Sequence, residues 1–93
     1  MSFKKKWFSN TYVNSDGYEI TFRPRAGIDY RDGQHLININ SEMLTNLGVA
    51  LYSDDMRVGS DNGPQLQDNN LRLLIVHRIK ALCDHLGWPL DIS

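Results

Sequence analysis

Apolar and polar residues alternate through much of the first 58 positions, and the period then lengthens. Tyr18, Ile20 and Phe22 alternate with Glu19 and Thr21, the pattern of a strand with one buried face. Thr11-Tyr12-Val13 precedes it across the turn-forming Asn14-Ser15-Asp16-Gly17. Pro24, which has no amide hydrogen, should end it or mark an edge. Ile28 to Arg31 and Gln34 to Ile39 flank Asp32-Gly33, which predicts a hairpin with a two-residue turn. His35, Ile37 and Ile39 would share one face of it, Leu36 and Asn38 the other. Ser41 is expected to cap a short turn through Glu42, Met43 and Leu44. Val49 to Ser53 reads as another strand, with Met56 to Val58 as a short partner across Asp54-Asp55.

From Leu71 onward the spacing becomes helical. Leu71, Ile75, Ile79, Leu82 and Leu86 fall on one stripe, widened by Val76 and Cys83. Asp68, Asn69 and Asn70 supply candidate caps at its start. Gly87 suits a left-handed C-terminal cap, with Trp88 placed to pack back on the last turn and Pro89 forbidding continuation. Leu90 and Ile92 suggest one closing strand. The expected fold is therefore α+β: a small antiparallel sheet of about five or six short strands with one long C-terminal helix on one face.

The 93 residues make one domain, 1–93, within which 1–10 read as a flexible N-terminus and the Gly- and Pro-containing 59–67 as a mobile loop. No apolar run is long enough for a signal peptide or a membrane span, and the single cysteine, Cys83, cannot close an internal disulfide. A cytoplasmic protein without membrane contact is expected. The formal net charge of -1 hides a gradient: residues 1–31 carry +3, residues 32–68 carry -5 and residues 69–93 carry +1.

Catalytic chemistry finds little support. His77, Cys83 and His85 cannot converge on a metal, because Cys83 lies about 240° around the helix from His77 and about 160° from His85. His35 reads as a partly buried strand histidine. No serine sits in a nucleophile turn, the glycines match no phosphate fingerprint, and Asp54 with Asp55 would point apart or face water. No enzyme activity, cofactor or metal is expected. Two surface sets remain. The acidic middle, Asp54, Asp55 and Asp61 with Tyr52, Arg57 and Glu42, suits a cationic protein partner on grounds of charge and exposure. Lys4, Lys5, Lys6 and Trp7, extended by Arg23 and Arg25, form the alternative, a basic and aromatic patch for nucleic acid.

The order of features resembles the immunity protein 74 family of polymorphic-toxin and contact-dependent inhibition systems. The resemblance spans roughly residues 18–92. It is carried by IDYRDGQHLININSE (Ile28 to Glu42), GVALYSDDMRV, the helix LRLLIVHRIKALCDHLG and the closing strand. Val58-Gly59-Ser60 stands where that family commonly has a tryptophan. The resemblance implies a bacterial, cytoplasmic, non-enzymatic antidote that binds a cognate toxin C-terminal domain, such as a nuclease, stoichiometrically. On that reading nucleic acid is not an expected partner, and an exposed edge strand offers a route to a dimer. The rival is a small nucleic-acid-binding or mobile-element regulatory module using the basic N-terminal patch.

Overall fold

The computed structural model describes residues 2–6, 9–23, 27–45 and 48–93. Seven strands form one sheet in the order of the chain: β1 (Phe3–Lys5), β2 (Thr11–Asn14), β3 (Tyr18–Arg23), β4 (Gly27–Arg31), β5 (Leu36–Met43), β6 (Val49–Val58) and β7 (Leu90–Ile92). One helix, α1 (Asn69–Leu86), lies between β6 and β7. Neighbours from β1 to β6 pair antiparallel, whereas β7 pairs parallel with β6. A parallel neighbour needs a crossover, and α1 supplies it. The α+β class with a C-terminal helix is as expected. Among the described residues the sheet has seven strands rather than five or six, and its edge strand β1 lies within the stretch 1–10 that reads from sequence as a flexible N-terminus.

The helix forms where its stripe and caps direct. Asp68 Oδ1 accepts from the amides of Asn70 and Leu71 at 3.0 and 3.1 Å, satisfying donors that the first turn leaves open. Gly87 adopts φ 74°, and the Trp88 amide returns to the Cys83 carbonyl at 2.9 Å. Leu71, Ile75, Ile79, Leu82 and Cys83 are buried against Tyr18, Ile20, Phe22, Ile28, Tyr30, Ile37, Ile39, Val49, Leu51 and Met56 of the sheet. Trp88 lies with its ring centroid 5.3 Å from that of Phe22.

Three local expectations are corrected. The β4–β5 turn has four residues, because Arg31 pairs with Leu36. A primed two-residue turn needs a positive φ at Gly33, and Gly33 does not adopt one. Instead Asp32 Oδ1 gathers the amides of Gln34 and His35, both at 2.8 Å. His35 thus belongs to the turn and not to the strand face of Ile37 and Ile39. Ser41 and Glu42 cap no turn, since β5 runs on through Met43. Asp54-Asp55 does not reverse the chain either. β6 is one ten-residue strand whose register slips between Ile39↔Met56 and Ser41↔Leu51, so Asn40 alone faces residues 52–55. That bulge bends the strand without ending it.

Candidate functional site

α1 covers one face of the sheet and leaves the other open. On the open face, register sets side chains in rows across the strands. One row runs Lys4, Val13, Glu19, Arg31, Leu36, and the next runs Thr11, Thr21, Asp29, Asn38, Arg57. Residues paired across antiparallel strands share a face, so these ten side chains stand on the same side. Arg23 and Gly27 begin a third row. Gly27 has φ 83°, and a Cβ there would collide with the Ile39 carbonyl oxygen, so this corner is open to glycine alone.

The rows are stitched by polar contacts. Thr11 and Thr21 share a hydroxyl hydrogen bond of 2.8 Å. Asp29 accepts from Asn38 Nδ2 at 2.9 Å and pairs with Arg23 Nε at 2.8 Å. Lys6 Nζ reaches across β2 to Glu19 at 2.7 Å. Arg57 Nε meets Asp55 at 3.0 Å. Lys4 and Arg31 make no ion pair among the described residues and are exposed. Five cations therefore stand on this face, with Glu19, Asp29 and Asp55 among them and Asp61 beside Arg57 and Arg31 at its margin.

The basic set of the sequence analysis is largely brought together here. Lys4 and Arg23 belong to the rows, and Lys6 joins them through Glu19. Lys5 is opposite Tyr12 in register and so points to the other side. Trp7 and Arg25 lie outside the described residues. The sequence analysis missed Arg31, although its place in a period-two strand opposite Glu19 was a usable signal.

The acidic set is divided. Asp55, Arg57 and Asp61 line one shallow depression of about 270 Å³ with Gly27, Asn38, Asn40 and Ser41. Asp55 also accepts from Asn40 Nδ2 at 3.2 Å. Asp54 is exposed at the bulge, where its carbonyl accepts from the Gln65 side chain. Glu42 and Tyr52 lie beyond the bulge, towards β7. The charge of Glu42 is the main cause raising the Tyr52 phenol above its ordinary pKa, followed by desolvation, a hydrogen bond to Glu42 and the charge of Asp91.

The covered face holds a polar chain that ties helix to sheet. Arg78 lies 4.3 Å over the Tyr18 ring and donates from Nη1 to the Tyr30 hydroxyl at 2.6 Å. Tyr30 donates to Asp32 Oδ2 at 2.7 Å, and His35 Nδ1 approaches the same carboxylate at 3.1 Å. Burial and the bond to Asp32 push the Tyr30 phenol up to about 12. Burial works to raise Asp32, but hydrogen bonds from Tyr30, the Gln34 amide and His35 outweigh it and hold the carboxyl at about 2. Burial, with a smaller effect of Asp84, raises the Cys83 thiol to about 11, so it is a poor nucleophile. Among the described residues no group of three His, Cys, Asp or Glu side chains could hold a metal. No described helix is long and apolar enough to cross a membrane.

No family model matches the chain, and no solved structure matches it significantly. Over 83 residues, 82% of this chain, it is 35% identical to the relaxosome protein TraM of Escherichia coli, and the match covers 61% of that protein's length. This relative corrects the functional expectation. It is named for the relaxosome and not for immunity, toxin inhibition or contact-dependent growth inhibition. A toxin-neutralising role, with a cognate toxin domain as partner and nucleic acid set aside, therefore does not stand. The relative says nothing about the family resemblance of residues 18–92 itself.

Proposed function

We propose that this chain is a non-enzymatic, cytoplasmic module that engages DNA within a relaxosome-type assembly of a mobile element. The observation that carries the reading is its 35% identity to relaxosome protein TraM across 82% of its own length. The open sheet face is the surface that suits the task. Its five cations spread from the end of β1 to β6, roughly 24 Å at ~4.8 Å per strand spacing. That exceeds the ~12 Å width of a major groove, so cations at the two sides can meet phosphates on either side of it.

The aromatic side chains point to phosphate contact rather than base stacking. Tyr18, Phe22, Tyr30 and Phe3 pack into or against the covered core; among the described residues the two rows contain no ring, and Tyr52 stands apart from them beyond the bulge. Single-strand binding by stacking needs exposed rings. The face offers charge and hydrogen bonds instead.

The test is a fluorescence anisotropy titration of a labelled duplex of about 20 base pairs at low salt, repeated across a salt series. Binding should weaken as salt rises, with a log–log slope of about -2 to -5 for two to five phosphates neutralised. Arg31→Glu should weaken it, whereas Lys80→Glu on the exposed side of α1 should change it little. A flat titration at low salt would remove the reading.

A further inference from the structure

Three of the five open-face cations are already engaged by carboxylates of the same face, in geometry that leaves the cations accessible. Lys6 is 54% exposed above a Glu19 that is 25% exposed, and Arg23 is 59% exposed above an Asp29 that is 22% exposed. In both pairs the acid sits lower and the cation stands towards solvent. Arg57 and Asp55 are exposed to equal degree, 42% and 41%, with Asp55 also held by Asn40. Each N···O separation, from 2.7 to 3.0 Å, is that of a charge-assisted hydrogen bond. A phosphate oxygen offers these cations the same chemistry as a carboxylate oxygen.

We propose that Glu19, Asp29 and Asp55 occupy, in the free protein, cation positions that DNA phosphates take in the complex, and so limit the affinity of the open face. The inference rests on the DNA-engaging reading and adds a regulation of that same surface. Two opposed effects decide its sign. A neighbouring carboxylate holds a flexible cation in place, which favours binding. The same carboxylate also repels the incoming phosphate and must give up its partner. In water an exposed pair gains little from being held, because high dielectric and side-chain entropy leave it marginal. The repulsion persists in the complex, where both anions crowd one cation. Competition therefore outweighs organisation.

The arrangement also lowers the salt dependence. A cation freed from its carboxylate lets that acid gather a solvent counterion, which offsets part of the counterion release from DNA. The face should consequently bind more weakly, and with a shallower salt slope, than five free cations would.

The experiment compares the full chain with Glu19→Gln, Asp55→Asn and Asp61→Asn, titrated against the same labelled duplex. Asp61 lies on the same depression as Arg57 and Asp55 and has no ion-pair partner among the described residues. It therefore controls for removal of one nearby negative charge. Glu19→Gln and Asp55→Asn should each tighten binding by about two- to fivefold, the range of an exposed ion pair, and each should steepen the salt slope. Asp61→Asn should tighten it by less than about twofold. Melting curves will show that each variant is folded, and Glu19→Gln is the safest, since its carboxylate pairs with Lys6 alone among the described residues. Weaker or unchanged binding in the paired variants, or an equal gain from Asp61→Asn, overturns the proposal while DNA binding stands. Failure of wild type and both paired variants to bind overturns both readings.

Discussion

The two faces of one sheet are built from the same strands and obey different rules. On the covered face Ile20, Ile28, Ile39, Leu51 and Met56 meet Ile75, Ile79 and Leu82 with no exposure at all. Its polar groups are few and are arranged as a chain from Arg78 through Tyr30 to Asp32. The open face reverses this composition: threonines, amides and paired charges, with Val13 and Leu36 as the apolar members of its rows. The covered face carries the apolar core, and the open face carries most of the cross-strand polar contacts. A surface that contributes little to stability can be tuned for a partner at little cost.

That contrast predicts a steep difference between equivalent substitutions. Ile79→Ala on the covered face should cost about 2–5 kcal/mol by urea denaturation, from lost burial and the cavity left behind. Tyr30→Phe should cost about 1–3 kcal/mol, since Arg78 and Asp32 each lose a partner near the helix–sheet seam. Equal small losses for both variants would contradict a core organised in this way. Asp68→Ala should cost about 1 kcal/mol through the helix cap alone. Arg31→Ala, in the open face, should fall within about 0.5 kcal/mol of wild type, and a larger loss would show that this face is structural after all.

Acid titration sharpens the comparison further. Asp32 is lowered from 3.8 to about 2 in the folded state. Its contribution is therefore fully present above pH 4 and is lost as pH falls from about 4 to about 2. Asp32→Asn should flatten that part of a stability–pH curve measured by urea midpoints. A variant that keeps the wild-type acid slope would place its origin elsewhere.

The sequence disclosed elements whose signal is local. The helix needed only its stripe, Asp68 and Gly87, all within 20 residues of chain. β3 needed only its alternation. Where it misled, a local motif lost to a contact further away. Asp32-Gly33 is a favoured turn pair, yet the Asp32 carboxylate gains more by collecting two amides, Tyr30 and His35. Asp54-Asp55 resembles a hairpin turn, but β6 pairs along β5 on both sides of the bulge and along β7 on its other edge. Parallel pairing with β7 leaves no short-range signature, because its partner lies about 40 residues away. The open face was half legible: Lys4, Lys6 and Arg23 were named from sequence proximity, while Arg31 joined them only through cross-strand register.

The order of elements also has a consequence for synthesis. All of β1 to β6, from Phe3 to Val58, precede the first residue of α1 in the chain. A ribosome thus produces the apolar wall of the sheet before it produces the cover. At ~5–20 residues per second, residues 59–86 take roughly 1 to 6 s to make. During that interval the nascent chain presents Ile20, Tyr30 and Leu51 to whatever is nearby. Chains held with Val58 just outside the ribosomal exit should crosslink to ribosome-associated chaperones more strongly than chains held after the helix has emerged; equal crosslinking would mean that the sheet waits for its helix before it assembles. Translation speed over this one stretch then becomes a determinant of how much protein reaches the native state.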